Sequence, residues 1–252
     1  EFTYYHSPVS QLLHSTLGEE TMNFLSRDNQ RINQWRFYAG QEHTLGKDWG
    51  LNYGVTYTTA LDNSYQMYYD PETEAPLPDN NMKSRRREQT VNFYAGLSKS
   101  FGEKLSADVS LAAEQYHTDM WNEWNLYPVA NLTYLPASGH ILQFSLSSDK
   151  EYPEYWSMQN STSYMGAYSE IQGNPFLKPA TNYETTLSYI LKGKYVLSAY
   201  YSRTKNKEMQ TLYQSPERLV EIYKCFNFDF SEQAGLVMVV PFKVKKWLDS
   251  RV

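Results

Sequence analysis

Residues 49–58 read Trp-Gly-Leu-Asn-Tyr-Gly-Val-Thr-Tyr-Thr, and large or apolar side chains alternate there with small or polar ones. Because successive side chains of a strand point to opposite faces, this stretch predicts a strand with one apolar and one polar face. The same period of two recurs at residues 91–98, 105–114, 142–147 and 195–202. Helical spacing fits none of these segments as well. The sequence therefore predicts an all-β chain.

The repeated alternation also predicts how the strands are connected. Strands are expected near residues 31–43, 48–60, 87–99, 104–116, 124–135, 140–148, 182–192, 194–204 and 233–243. The excursion between the last two is expected to hold a separate hairpin, Met209–Gln214 with Leu219–Phe226. Short connections fall at one end of the sheet and long ones at the other. An antiparallel up-and-down meander of this kind is typical of a transmembrane β-barrel with short periplasmic turns and long outer loops.

A soluble β-sandwich would alternate in the same way, and the residues favour the barrel over it without excluding it. The predicted strands run to about 10 to 13 residues, whereas soluble strands have a mode of about 5–6 and tilted membrane strands need about 9–11. The polar faces consist mainly of Ser, Thr, Asn, Gly and Gln, as in a wall that lines a wet interior. Aromatic residues also stand at strand ends beside the short turns, where they suit a bilayer interface; these are Trp49, Phe101, Tyr134, Tyr195, Phe242 and Trp247.

Composition excludes several classes of protein. The chain has 252 residues, 23 of them Tyr, a formal net charge of −5 and a mean hydropathy of −0.65. No apolar run is long enough for a transmembrane helix, and the mild acidity provides no basic footprint for nucleic acid. A lone Cys225 excludes an internal disulfide framework. The low hydropathy fits strands that are half polar because one face lines a wet lumen.

Residues 173–191 read Gly-Asn-Pro-Phe-Leu-Lys-Pro-Ala-Thr-Asn-Tyr-Glu-Thr-Thr-Leu-Ser-Tyr-Ile-Leu. This segment resembles the Gly-Asn-Pro-x-Leu-Lys-Pro…Asn-Tyr-Glu segment of TonB-dependent outer-membrane receptors, particularly the outer-membrane β-barrel family common in Bacteroidetes. The resemblance continues to Asn206, and the rest of the chain agrees in layout alone. The matching positions are Gly173, Asn174, Pro175, Leu177, Lys178, Pro179, Tyr183 and Glu184. We expect a structural role for them, because the two prolines hold the backbone extended before the next strand.

The resemblance implies a function that this chain would share in part. A full receptor has a plug and a barrel of about 22 strands, whereas about nine or ten strands and no plug-like stretch are predicted here. We therefore expect residues 1–252 to be a partial β-barrel domain in the bacterial outer membrane, without the plug and remaining strands. The implied function is import of a scarce ligand. The implied partners are outer-membrane lipid or lipopolysaccharide, TonB through a region missing here, and a surface lipoprotein.

Aromatic loops supply the candidate ligand-binding residues. Aromatic faces beside polar groups are typical of surfaces that bind sugars or large amphiphiles. The candidates are Trp121, Tyr152, Tyr155, Trp156, Tyr164 and Tyr168. The alternative is that these rings pack the loops together. Two other functions stay open, namely a passive porin-like barrel and a soluble or surface-exposed β-protein that binds glycans through the same loops.

Other chemistry is weakly indicated. The five histidines lack metal-ligand spacing, so no metal site is predicted. No nucleophile, phosphate-binding or dinucleotide motif occurs, so we expect no catalytic residue, no cofactor and no enzyme. The acidic loop Asp70, Glu72, Glu74 and Asp79, with prolines such as Pro78, suits solvation better than cation binding. The basic Ser84–Arg87 cluster is expected to be solvated or, less favoured, to contact lipopolysaccharide phosphates.

Overall fold

Twelve strands form one sheet that nearly closes into a barrel. The structure is a computed structural model, and it describes residues 1–17, 20–46, 48–77, 81–244 and 248–251. A separate two-stranded hairpin follows the sheet. The described residues contain one four-residue helix, and no helix among them is long and apolar enough to cross a membrane. The elements are β1 Phe2–Leu17, β2 Glu20–Leu45, β3 Trp49–Tyr69, β4 Met82–Phe101, β5 Leu105–Thr118, β6 Asn122–Tyr134, β7 His140–Glu151, α1 Tyr155–Met158, β8 Thr162–Gly166, β9 Ser169–Gln172, β10 Ala180–Leu191, β11 Tyr195–Gln214, β12 Glu221–Val239, β13 Pro241–Val244 and β14 Leu248–Arg251.

The sheet is an up-and-down meander, as the alternation predicts. Strands β1 to β7 pair in chain order, and β10, β11 and β12 continue the same antiparallel order. The exception lies between β7 and β10, where β8 and β9 join the far edge of the sheet. There β9 runs parallel to the outer end of β12, with Glu221 opposite Ser169. The predicted all-β meander is thus confirmed, with one parallel pair added.

Strand lengths differ most from the sequence prediction. Strand β2 has 26 residues, and its outer half pairs with β1, where no strand is predicted. The hairpin predicted for Met209–Gln214 and Leu219–Phe226 pairs as expected, with Met209 opposite Phe226 and Gln214 opposite Glu221. It is not a separate hairpin, however, because the two segments are the outer ends of β11 and β12. Only residues 215–220 connect the two strands. The tips of these outer ends carry polar side chains on both faces, such as Gln210 and Thr211 of β11, and so give a weaker signal than the inner halves.

The two faces of the sheet differ as expected for a barrel wall. On β3 the inward side chains Asp62, Ser64 and Gln66 are buried. Leu51 belongs to the opposite face, in an apolar groove with Leu97, Val109 and Leu111 of the neighbouring strands. The predicted lower aromatic girdle is exposed on this outward side at Trp49, Phe101, Tyr134 and Tyr195, whereas Phe242 is exposed on the separate hairpin. Trp247 of that prediction, and Pro78 and Asp79 of the acidic loop, lie outside the described residues.

Tyrosine rings lie across glycines on the inward face. A Cβ atom at Gly54 would come within 2.6 Å of the Tyr94 ring, and one at Gly40 within 2.7 Å of the Tyr94 hydroxyl oxygen. The same relationship recurs between Gly235 and Tyr200 on β12 and β11. Only a residue without a side chain allows this close approach across a strand pair. Some of the 23 tyrosines of this chain therefore serve to pack the inner wall of the barrel.

Candidate functional site

The segment 152–179, which we call the inward loop, folds back against the inner wall near the outer end of the sheet. The Gln66 side-chain amide donates to Ser163 Oγ at 3.0 Å, and the Tyr68 hydroxyl donates to the Thr162 carbonyl at 2.5 Å. On the opposite side of the loop, the Ala167 N–H donates to Ser15 Oγ at 3.3 Å. The inward loop thus connects β12, through β9, with β1 and β3.

The first half of the matched motif fastens the inward loop to itself. Gly173 donates its backbone N–H to the Ser161 carbonyl at 3.0 Å, and a Cβ atom there would lie only 1.8 Å from the Gln159 carbonyl oxygen. Asn174 donates its backbone N–H to the Ser157 carbonyl at 2.6 Å. Its side-chain amide donates to the Cys225 carbonyl on β12 at 2.9 Å. Glycine and asparagine at these two positions therefore allow a close backbone approach and a bond to the wall.

The second half of the motif joins the inward loop to β12. Leu177 is only 1% exposed and packs with Met158 and the buried Cys225. Lys178 bonds through its backbone to the side chain of Asn227, with N–O distances of 2.7 and 2.9 Å. Its ammonium group lies 4.4 Å from the Trp121 ring centroid. Leu177 and Lys178 thus anchor the chain just before Pro179 and β10.

The remaining motif residues lie in β10 and belong to the barrel wall. The Lys205 ammonium lies 5.5 Å from the Tyr183 ring centroid. Glu184 is exposed and pairs in register with Ser202 of β11 and Ser147 of β7. These two residues therefore continue the sheet beyond the loop portion of the motif.

Two loop tyrosines bond to carboxylates of the wall. The Tyr152 hydroxyl donates to Glu114 at 2.6 Å, and the Tyr155 hydroxyl donates to Glu88 at 2.9 Å. Tyr116 of β5 also donates to Glu88, at 2.9 Å. Burial is the main cause that raises the pKa of both Tyr152 and Tyr155 above the ordinary value, and the nearby carboxylates act in the same direction. Both hydroxyls therefore remain protonated donors at neutral pH.

Two cations complete this polar network. Lys150 Nζ lies 3.1 Å from Glu114 Oε1, and Arg86 Nε lies 2.9 Å from Glu88 Oε1. The Lys150 ammonium also lies 4.5 Å from the Tyr116 ring centroid. Two carboxylates and two cations balance in charge, which is the arrangement in which buried ionic groups are tolerated. Arg86 belongs to the Ser84–Arg87 cluster expected to be solvated or to contact lipopolysaccharide, but it lies on the inward face and pairs with Glu88 instead. Sequence reasoning missed Glu88, Glu114 and Lys150; the available signal was that Glu88 continues the polar face of β4.

The six predicted aromatic candidates are divided among several places. Tyr152 and Tyr155 belong to the polar network, and Trp121 covers Lys178. Tyr164 packs against the rings of Phe24 and Tyr68, at centroid distances of 5.3 and 5.7 Å. Tyr168 accepts the Glu221 backbone N–H at its carbonyl, 2.8 Å away. The structure thus places most of these side chains between the inward loop and the wall.

Tyr152 and Trp156 are the two exposed candidates, at 39% and 44%. Trp156 donates its indole N–H to Glu154 of the same loop. It lines a cavity of about 230 Å³ between the inward loop and strands β1 to β3. Two buried acceptor atoms on this lining, Asp28 Oδ1 and Gln66 Oε1, have no hydrogen-bond partner among the described residues. The other carboxylate oxygen of Asp28, Oδ2, accepts from the Ser26 hydroxyl at 3.4 Å. The cavity therefore combines one exposed indole with free acceptors, which suits a ligand that has hydroxyl or amine donors.

A family comparison matches the whole chain. The model of the outer membrane protein beta-barrel family matches residues 1–252. The chain belongs to this family. Its location is therefore the bacterial outer membrane, and the resemblance read from residues 173–191 is confirmed at this level. A comparison with curated proteins finds no match.

Solved structures with the same fold are outer-membrane receptor barrels of greater length. A mutant of the ferric enterobactin receptor of Pseudomonas aeruginosa superposes with a TM-score of 0.57 at 16% identity, over 96% of this chain and 38% of that chain. The siderophore receptor PirA of the same organism gives 0.61 at 12% identity, over 98% and 48%. The hemophore receptor HasR of Serratia marcescens, solved with its hemophore and heme, gives 0.59 at 9% identity, over 96% and 43%. The chain thus spans less than half the length of these receptors, and at these identities the likeness concerns the fold.

Among the described residues, no group of three or more His, Cys, Asp and Glu side chains is placed to hold a metal ion. In the acidic loop, Asp70 accepts from the backbone N–H groups of Glu72 and Thr73, and Glu74 pairs with Arg27 at 3.1 Å. The described acids of this loop therefore serve a local turn and an ion pair. The candidate ligand surface of this chain is the inward loop with its cavity.

Proposed function

We propose that this chain forms barrel wall and part of the outer ligand surface of a TonB-dependent receptor that imports a scarce ligand. The observation that carries the proposal is the inward loop, which is fastened to the inner wall at the outer end of the barrel. A passive pore needs an open lumen, whereas a capturing receptor needs a built surface at its outer mouth. Trp156 and the two oxygens Asp28 Oδ1 and Gln66 Oε1, which have no partner among the described residues, provide aromatic and polar groups on that surface.

The ligand class follows from the same surface. An exposed indole beside acceptor atoms suits an amphiphile with donor groups, such as a glycan or a chelate with a polar periphery. The named receptors above are described with ferric enterobactin, siderophores and a heme-carrying hemophore. We propose a ligand of this broad kind here. TonB would act through a part of the full protein outside this chain, and a surface lipoprotein could assist at the outer face.

The alternative of a soluble glycan-binding protein does not agree with membership in an outer-membrane family. A TonB-dependent receptor needs the proton gradient to import its ligand, whereas a passive porin does not. We expect no catalytic step from this chain, because its polar network serves to hold the loop.

The test uses cells that lack the gene and are complemented with the full-length receptor. Growth and uptake are measured with a panel of scarce nutrients, namely ferric siderophores, heme, cobalamin, copper and oligosaccharides, with and without a protonophore. Wild-type protein should restore uptake of one class, and the protonophore should abolish it. Trp156→Ala should weaken uptake, whereas Trp124→Ala, which removes an exposed tryptophan of β6, should leave it unchanged. Uptake that persists after the proton gradient collapses would contradict the receptor proposal and support a porin.

A further inference from the structure

The outward face of β4 changes in chemistry along the strand. Side chains at alternate positions share this face, because register with β3 continues without interruption from Trp49 opposite Lys99 to Gln66 opposite Met82. From the lower end upward, the outward residues are Phe101, Lys99, Leu97, Ala95, Phe93, Val91, Gln89, Arg87, Arg85 and Lys83. The face is thus largely apolar up to Val91 and strongly basic beyond Gln89.

The neighbouring strand β2 adds a fourth cation at the same height. Asn63 of β3 pairs in register with Arg31 on one side and Arg85 on the other. Two inter-strand spacings therefore separate Arg31 and Arg85, or about 10 Å between their Cα atoms. Arg85 and Arg87 are two residues apart on one face, which is about 7 Å. We call Arg31, Lys83, Arg85 and Arg87 the basic patch, and all four side chains are exposed.

Within the described strands β1 to β5, no acidic side chain shares the outward face with the basic patch. Glu74 of the loop after β3 pairs with Arg27, an outward residue of β2 four positions above Arg31. None of the four cations forms an ion pair within the described ranges. The acids nearby, Asp62 and Glu88, belong to the inward face, where they bond to Ser64 and Arg86. This concentration of positive charge contrasts with the net charge of −5 for the whole chain.

Two other outward cations of the barrel strands, Arg203 and Lys99, do have protein partners. On β11, Arg203 lies 2.8 Å from Glu232 of β12 and 4.7 Å from the Phe230 ring centroid. At the lower end of β4, the Lys99 ammonium lies 4.3 Å from the Trp49 ring centroid. An exposed guanidinium group without a protein partner is free to bind an anion bidentately.

The position of the basic patch along the membrane normal indicates which anion it can meet. Arg87 lies 14 residues above Phe101 of the lower aromatic girdle. At about 3.3 Å per residue and a strand tilt of about 40°, this is about 35 Å along the membrane normal. A bilayer has about 30 Å of hydrocarbon and about 40–45 Å with headgroups, so the patch reaches the outer headgroup level. Soluble anions meet the loops and lumen, whereas these side chains point away from the lumen.

We propose that the basic patch binds the phosphate groups of lipid A in the outer leaflet. Arg31 and Arg85 would hold a phosphate from two sides of Asn63, while Arg87 and Lys83 would extend the contact along β4. The bound lipid would pack its acyl chains on the apolar residues below, such as Val91 and Phe93. This inference does not depend on which ligand the receptor imports.

The experiment measures lipid A that remains with the full-length receptor after extraction in mild detergent. The test variant is Arg31→Gln/Arg85→Gln/Arg87→Gln, and the control is Lys99→Gln, which removes an outward cation at the opposite end of the same strand. Retained lipid A should fall about tenfold in the test variant, since several charge-assisted hydrogen bonds are lost, and should match wild type in the control. Equal retention by the test variant would overturn the proposal.

Two further measurements separate the source of the anion from a folding defect. Delipidated wild-type receptor is titrated with bisphosphorylated lipid A, with dephosphorylated lipid A and with inorganic phosphate. Binding by the first alone supports the proposal, whereas equal binding of inorganic phosphate or of dephosphorylated lipid overturns it. Heat-modified mobility on gels reports whether each variant is a folded barrel. If the triple variant does not fold, the single variant Arg85→Gln carries the same comparison with Lys99→Gln.

Discussion

Asn227 bonds to both backbone groups of Lys178. Its Oδ1 accepts from the Lys178 N–H at 2.7 Å, and its Nδ2 donates to the Lys178 carbonyl at 2.9 Å. The same Nδ2 donates to the carbonyl of Asn206 at 2.8 Å, where β11 adopts a positive φ of 52°. The Asn227 side chain therefore makes the two backbone hydrogen bonds to Lys178 that a neighbouring strand would otherwise make. It also links Lys178 to the irregular backbone at Asn206 of β11.

Replacement of Asn227 by Ala should loosen the inward loop. A partly buried N–H and carbonyl would lose their partners, which costs about 1–3 kcal/mol when water cannot replace them fully. Hydrogen exchange of the full-length receptor should show faster exchange around Leu177 and Lys178. The control Asn33→Ala, whose side chain makes no hydrogen bond within the described ranges, should leave exchange unchanged. Equal protection in Asn227→Ala would show that the amide does not hold the loop.

Substitution of Gly173 by Ala should displace the inward loop without harm to the barrel. The added Cβ would lie 1.8 Å from the Gln159 carbonyl oxygen, a backbone atom, so a flexible side chain cannot relieve the clash. We expect faster cleavage of the loop by chymotrypsin while heat-modified gel mobility stays that of a folded barrel. Gly166→Ala is the matched control in the same loop, because a methyl group added there would meet no atom within 4 Å. Similar cleavage rates in the two variants would contradict the proposed close approach.

Gly235 and Tyr200 should be energetically coupled across β12 and β11. A Cβ atom at Gly235 would lie 2.6 Å from the Tyr200 ring, and overpacking of this kind costs about 1–3 kcal/mol. Gly235→Ala should therefore lower the free energy of unfolding in urea, and the added variant Tyr200→Ala should recover part of that loss. The coupling energy of a double-mutant cycle should reach about 0.5–3 kcal/mol. Gly46→Ala, which meets no atom within 4 Å, serves as the control, and additive effects of the two substitutions would refute the coupling.

The sequence predicts the inner halves of the strands well because they carry the strongest physical constraint. Lipid on one side and water on the other impose strict alternation, as at Leu51 and Asn52. Beyond the apolar band both faces meet water or protein loops, so β1 and the outer end of β2 lack that signal. The same reason explains why the outer ends of β11 and β12 resemble a separate hairpin.

The candidate site is less predictable because it depends on contacts between distant segments. The motif around Gly173 can be found in the sequence, but its partners Asn227 and Cys225 lie about fifty residues later on another strand, a separation that no local pattern encodes. Tyr152 and Tyr155 are conspicuous as aromatics, yet their hydroxyls bond to Glu114 and Glu88 of the wall. Polar residues of a lumen face look alike in sequence, whether they meet water or a folded loop.

Substitution of Val109 by Arg tests the assignment of the lipid-facing side. Val109 is 46% exposed on the outward face of β5, four residues above Leu105 at the lower turn. This position lies near the bilayer midplane, where an Arg on the lipid face costs about 2–4 kcal/mol. We therefore expect less folded receptor in the outer membrane and a lower free energy of unfolding in phospholipid vesicles. The control Thr58→Arg places the same side chain on the inward face, in a polar cleft of about 400 Å³ lined also by Thr56 and Thr90. An inward Arg keeps its hydration, so this variant should assemble at the wild-type level. If Val109→Arg assembles as well as Thr58→Arg, the outward face of β5 does not meet lipid.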